Sequence, residues 1–438
     1  MKRRQFIKET TFTVAAMVAG KARRAGAAGA KYRVAVIGRT GKGNYGHGLD
    51  VVWKDIDRTE IVAVADEDAK GRAAGTKRLN APRAYADYRR MLEKEQPRIV
   101  SVAPRWLDCH RDMVLACAEF GCHVFLEKPM CQSLEQADEM VAALEKKNLK
   151  LAIAHQSRYS PALKHVQKII AEGRLGEIVE LRGRGKEDRR GGGEDLMVLG
   201  THVMDLMRFF AREPKWCFAR VTDAGKPVTR DQVREGAEGI GPLAGDEIHA
   251  MYRFAEPAMG YFSTHRARDG AARRFGLQIY GTKGIITITT GAVPEIWFIE
   301  DPSWQPGRSK AAWKRISSNG IDRPETLSDP GHSLGNRLVA LDLLRAIETD
   351  AQPRGSMYDG RAALEMILAV YESHRKEGPV KLPLENRKHP LTLLHSGGLL
   401  LAHDVTPGMA DPAYMRAVTT SPYLKTIVRS GVGITLKK

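Results

Sequence analysis

The chain reads as an α/β protein: a doubly wound parallel sheet at the N-terminal end, followed by an α+β domain on a large, mostly antiparallel open sheet. Three observations carry this expectation. From Tyr32 to about residue 150, short β-branched runs alternate with helical stretches, the pattern that builds parallel sheets. From about Leu151, extended segments follow one another with few helices between them: IVELRGRG, CFARVT, IHAMYRFAE, GYFSTHRA and RFGLQIYGTKGIITI. A length of 438 residues is also too great for one ordinary core. The expected divisions are 1–30 (a leader), 31–150, 151–390 and an irregular extension at 391–438.

Residues 1–30 have a basic start, KRRQFIK, a short apolar middle and small residues Ala28, Gly29 and Ala30 that fit a cleavage site after Ala30. The apolar run Thr11 to Gly20 is about half of the roughly 20 residues a membrane helix needs. Paired Arg3 and Arg4 with Phe6, Ile7 and Lys8 resemble a twin-arginine export signal. That resemblance implies an export machinery that carries folded proteins, often with a bound cofactor, to the periplasm or another extracytoplasmic site.

The next segment, YRVAVIG, is a strand ending at Gly38, followed by the turn RTGKGNYGHG and a predicted helix from near Leu49. Strand, glycine turn and helix form a Rossmann dinucleotide site: glycines let the backbone approach a pyrophosphate, and the helix start offers N–H groups to it. Gly41, Gly43 and Gly46 fit G-x-G-x-x-G; alternatively Gly38 opens the turn and Thr40 stands where a glycine is usual. Both registers stay open. A second strand, EIVAVAD, ends at Asp66, 28 residues after Gly38. An acid at this point accepts from the ribose hydroxyls of NAD and repels the 2′-phosphate of NADP, so NAD is favoured over NADP.

A helix from Asp87 to Glu95, the strand RIVSVAP, a helix from Cys109 to Phe120 and the strand HVFLEKP continue the alternation. Ligands on such sheets sit beyond the carboxyl ends of the strands, here Ala103–Pro104 and Glu127–Lys128–Pro129.

The ordered set VAVIG, VAVAD, YADYRRML, SVAP, GCHVFLEKPM and AHQSRYSP is similar to the Gfo/Idh/MocA family of oxidoreductases, over residues 31 to about 390. The segment APRWLDCH is about two residues longer than the usual turn. The resemblance implies NAD-dependent chemistry on CH–OH groups of a sugar, cyclitol or polyol. Lys128 would reach nicotinamide and substrate, with Pro129 cis. A lysine desolvated beside a cationic ring has a lowered pKa and can take a hydroxyl proton. His202 occupies the position of the catalytic histidine, but four residues earlier, where an acid is usual, stands Val198. Glu194 or Asp195 could reach in, or Asp205 could orient the imidazole from the same helical face. By resemblance Glu127, His110 and Pro104 belong to the cofactor site. Arg158, Lys186 and Asp205 belong to the substrate side, with Gln156 and Arg184 near them. Arg158 could instead form an interdomain ion pair.

In the second domain, GLQIYGTKGIITI has a turn at Gly281 to Gly284 between alternating runs, as in a hairpin, and helices return at Leu338 to Ile347 and Gly360 to His374. The open sheet face implies a homo-oligomer by resemblance. The formal charge is +17, of which residues 1–30 contribute seven Lys or Arg and one Glu, leaving +11. No basic run interleaves with aromatics, so nucleic acid is not an expected partner. Cys109, Cys117, Cys122, Cys131 and Cys217 have no CxxC pair and no metal-ligand spacing; buried thiols are expected, and no metal.

Three functions follow. One is an exported oxidoreductase with tightly held NAD. The second is an NAD-dependent glycosidase or lyase that oxidises a sugar carbon transiently. The third is a non-catalytic sugar-binding relative. Export favours retention, since little nicotinamide exchanges outside the cytoplasm.

Overall fold

The structure is a computed structural model that describes residues 31–255, 257–267, 274–303 and 308–394, with the backbone of 399–400, 424–429 and 432–437. The expected export signal and its cleavage site lie outside the described residues.

Six parallel strands form the first sheet: β1 (Tyr32–Ile37), β2 (Thr59–Ala65), β3 (Ala84–Tyr85), β4 (Ile99–Val102), β5 (His123–Leu126) and β6 (Leu151–Ile153), in the order β3-β2-β1-β4-β5-β6. Every residue of β4, β5 and β6 is buried, which is why these runs are mostly apolar rather than alternating, and the polar Ser101 and His123 are bonded inside, to the Leu49 carbonyl and the Lys150 N–H. Strand order reverses between β1 and β4, so the turns after these two strands open a crevice at their carboxyl ends.

The helix expected near Leu49 is instead a five-residue 3-10 turn, Val51–Asp55. Only residues 49–58 separate Gly48, at φ +85°, from β2, and Trp53 is drawn into the core edge-on to Phe125. Tyr45 fills the space beside this turn; a Cβ on Gly38 or Gly75 would lie 2.3 or 2.4 Å from its side chain. The sheet face left by the short connection is covered by the helix Ser333–Thr349, whose Val339, Ala340, Leu343 and Leu344 pack with Val34, Val36, Leu49 and Trp53. Any anion at this turn must therefore use the N–H groups of the turn itself.

The second sheet joins eleven strands. Its centre pairs Met259–His265 in parallel with Ile178–Arg184, and its other pairings are antiparallel, including the hairpin Gly276–Gly281 with Ile285–Thr289. Side chains alternate: Gly183 and Phe262 face the helix Gly200–Ala211, while Arg182 and Tyr261 face outward. The last predicted helix lies within Met357–Lys376. All five cysteines are free and buried. In place of a wholly irregular extension, Leu424–Arg429 and Val432–Lys437 pair as a hairpin joined by Leu399–Leu400.

Arg158 and Asp205, expected at the substrate, are instead paired with each other inside the protein. Arg158 Nε and Nη2 lie 3.0 and 2.6 Å from the two Asp205 oxygens, and Nη1 reaches Asp359 at 3.0 Å and the Arg354 carbonyl at 2.7 Å. The bidentate fork joins the turn after β6 to the helices at 200–211 and 357–376. Removing one partner strands a buried charge. Arg158→Met is expected to cost about 3–5 kcal/mol in urea unfolding, and adding Asp205→Leu to recover part of that loss. A single-variant loss below about 1 kcal/mol, the level of an exposed pair, would contradict this role.

Candidate active site

The site is built from turns at the carboxyl ends of β1, β2, β4 and β5. Gly43, at φ +88°, lies so close to the turn after β4 that a Cβ would sit 2.4 Å from the Arg105 nitrogen; at Gly46, φ +67°, it would sit 2.3 Å from the Ala103 carbonyl. Gly41, at φ +82°, faces open space. The Thr40 hydroxyl donates to Asp66 at 2.7 Å, and the Thr40 N–H lies 3.1 and 3.2 Å from the two carboxylate oxygens. Thr40 thus anchors Asp66, which also accepts from the Asp68 N–H. The carboxylate borders a cleft with Gly38, Arg39, Ala86 and Tyr88.

At the end of β5, Glu127 is fully buried and Lys128 nearly so, and the Lys128–Pro129 peptide is cis. Lys128 Nζ donates to the Val198 carbonyl at 3.2 Å. Val198 therefore contributes its main chain where the resembling chains have an acid. Burial pulls the Lys128 ammonium below its ordinary pKa; Glu127 and Glu238 oppose this, while Arg190 and Arg105 add to it. Burial alone would raise the Glu127 carboxyl, but a hydrogen bond with His47 and the charge of Lys128 hold it lower.

His110 does not point to a ligand. Its Nε2 is 2.7 Å from the Pro104 carbonyl and its Nδ1 is 3.1 Å from those of Pro129 and Met130, so it ties the turn after β4 to the turn after β5. Pro104 contributes that carbonyl, a structural place rather than the cofactor contact expected of it.

His202 stands in the first turn of the helix Gly200–Ala211, edge-on to His155 at 5.7 Å and to Phe275 at 6.3 Å. Burial pushes its pKa well below the ordinary value, with Lys128 and His155 acting the same way, so the imidazole is neutral. Asp205 does not orient it: besides Arg158, that carboxylate lies 3.3 Å from His155 Nδ1, and His155 Nε2 is 2.9 Å from the Thr201 hydroxyl. Asp195 is also committed, to the N–H groups of Lys186 and Glu187, each at 3.1 Å, and to the Thr264 hydroxyl. Glu194 is different. It is half-buried, and burial raises its pKa against the opposing charge of Arg190.

On the substrate side, Lys186 is drawn to Asp188 at 3.5 Å, and Arg184 bonds Ser263 and Glu187 on the outward face of the sheet. Gln156 donates to Asn336 at 2.9 Å, joining the turn after β6 to the helix 333–349. Arg190, His47, His155 and Glu238 join the site without having been expected there. His47 lies inside the glycine run and Glu238 inside GAEGIG, the only local signals for either.

These residues fit NAD. Two buried polar atoms at the crevice, Glu127 Oε2 and His202 Nδ1, have no hydrogen-bond partner among the described residues, as expected where a ligand completes the bonding. The open turn at Gly41 and the anchored Asp66 would hold the pyrophosphate and ribose, while Lys128 and His202 border the reacting end.

The chain is similar to known proteins over both domains. Residues 32–155 match the family described as "Oxidoreductase family, NAD-binding Rossmann fold", and residues 167–382 match its "C-terminal alpha/beta domain". The chain is 26% identical over 362 residues to levoglucosan dehydrogenase of Pseudarthrobacter phenanthrenivorans, covering 74% of this chain and 89% of the relative. It is 23% identical to D-apiose dehydrogenase of Paraburkholderia graminis, covering 79% and 89%. A solved levoglucosan dehydrogenase with NADH and L-sorbose superposes with a TM-score of 0.65 at 22% identity, over 81% of this chain and 100% of that one. An NAD-binding Rossmann domain, a mixed second sheet and a buried Glu-Lys-Pro turn come together because the chain belongs to the Gfo/Idh/MocA oxidoreductase family.

Proposed function

We propose that this chain is an exported dehydrogenase of a neutral sugar, cyclitol or polyol that keeps its NAD tightly bound. The observation that carries the proposal is Lys128, a lysine removed from water at the cofactor end of the cleft, beside a neutral His202. NAD, when bound, supplies the hydride acceptor. Lys128 takes the proton of the substrate hydroxyl, the Val198 carbonyl holds its amine in place, and His202 hydrogen-bonds the same region. The names of the relatives, levoglucosan and D-apiose dehydrogenase, support the substrate class.

A second reading, redox-neutral elimination through a transiently oxidised sugar, is favoured by Glu194. Its raised pKa suits a general acid. In the first reading the bound NADH is reoxidised by a second, carbonyl substrate, so an oxidised sugar appears with an equal amount of that substrate reduced; in the second an aglycone leaves with no net oxidation of the sugar.

Assembly is proposed to use the open sheet face, where cross-strand neighbours Phe218, Met251, Tyr261 and Arg182 form a row and Phe218 and Tyr261 are 42% and 38% exposed. Light scattering should find an oligomer, and Tyr261→Lys should shift it toward monomers. A wild-type monomer would overturn this.

Because the folded-state pKa of Lys128 is lowered, its neutral form is present above that value and lost below it. The rate of sugar oxidation should rise with pH through this pKa, about tenfold per unit on the acid side, and then level off. His202 should add no inflection between about pH 6 and 8. Lys128→Met should lower kcat by about 10²–10⁴-fold with NAD binding kept; activity within a few-fold of wild type would refute the assignment.

Protein purified from the exported fraction should carry near-stoichiometric NAD(H). Cofactor-free protein that turns over only with added NAD would contradict retention.

A further inference from the structure

Between the strands Trp216–Asp223 and Glu247–Arg253 the chain leaves the second sheet for residues 224–246, and this excursion returns to the cleft. It carries its own small hairpin, in which Arg234–Glu235 pairs with Pro242–Leu243, and the Gly236 N–H donates to the Gly241 carbonyl at 2.9 Å to close the tip. Ile240, Leu243 and Ala244 are buried at 2% exposure or less, so the tip is anchored.

The tip docks on the first domain. Gln132, just past the Glu-Lys-Pro turn, donates to the Gly239 carbonyl at 2.8 Å. A Cβ on Gly239 would be 3.0 Å from the Asp108 carboxyl, in the turn after β4. The excursion thereby spans the carboxyl ends of β4 and β5. At its apex stands Glu238, half-buried and in the left-handed region at φ +58°, ψ +24°. A non-glycine residue rarely adopts this conformation, and such strain collects at functional sites.

The charge of Glu238 is felt at the chemistry already described. After Glu127, it is the strongest charge favouring the Lys128 ammonium, and it also acts on Glu194. The other charges bearing on Glu194 are Arg190, Asp188 and Arg234. Asp195 and Asp205 are spent on structural bonds, whereas the half-buried Glu194 and Glu238 side chains make no hydrogen bond or ion pair among the described residues.

We propose that Glu238 is a substrate-binding carboxylate which, paired with Glu194, accepts hydrogen bonds from hydroxyls of a neutral polyhydroxylated substrate and stands in for the acid missing at Val198. The assignment rests on the dehydrogenase reading of the same cleft. A carboxylate pair binds hydroxyl-rich neutral molecules and repels sugar acids, so it also sets specificity.

The test uses the full chain with bound NAD and follows the single-turnover reduction of that NAD against substrate concentration, whose half-saturation is taken as KM, with levoglucosan, D-xylose, myo-inositol and D-glucuronate. Glu238→Gln should raise KM for the neutral substrate turned over by wild type by about tenfold or more, the effect of losing one charge-assisted bond. NADH affinity should be unchanged, and discrimination against D-glucuronate should shrink. Glu238→Gly, which relieves the positive φ, should melt no lower than wild type while showing the same rise in KM. Asp231→Asn, an exposed acid on the same excursion, should change neither. If wild type oxidises a neutral sugar and KM in Glu238→Gln stays within about twofold, this proposal fails alone. If wild type oxidises none of the four, the dehydrogenase reading fails and this proposal with it.

Discussion

Lys128 sits at the end of a fully buried strand, and the cost of holding an ammonium there organises everything around it. A lysine in a low-dielectric site either gives up its proton or gathers partners. Here both tendencies operate. Burial, with Arg190 and Arg105, disfavours the charged form, while Glu127 and Glu238 favour it and the Val198 carbonyl accepts from it. That balance suits a group that must both take and return a proton.

The balance needs rigid walls, which come from distant parts of the chain. His110 binds the turns after β4 and β5 to one another, the Arg158–Asp205 fork fixes the helix that carries His202, and the helix 333–349 completes the first domain's core. Gly43 and Gly46 are the places where the glycine turn can touch the neighbouring turn at all. The two sheets therefore meet as one site, with the cofactor wall from the first and the substrate wall from the second.

Features set by adjacent residues are legible in the sequence. Strand–glycine turn–strand–Asp66 and Glu-Lys-Pro depend on local spacing, and both stand where expected. The roles of individual polar residues are less legible, because they depend on which partner arrives first. Arg158 and Asp205 are satisfied by each other, His110 is enclosed by three carbonyls, and Asp195 is satisfied by two N–H groups and a hydroxyl. The 3-10 turn at Val51–Asp55 reads as a helix in the sequence because nothing nearby shows that a helix from residues 333–349 occupies that face. Glu238 escapes notice for the same reason: it lies 110 residues beyond the lysine whose charge it favours.

The most direct measurement is the titration of Lys128 itself, by competitive labelling of lysine amines across pH followed by peptide mapping, with Lys128→Met identifying the peptide. Buried in the site, Lys128 should gain nucleophilicity at a distinctly lower pH than the ordinary lysine value of about 10.4. A Lys128 that titrates at that ordinary value would contradict the account, since a solvated ammonium could not be the base on which this site is built.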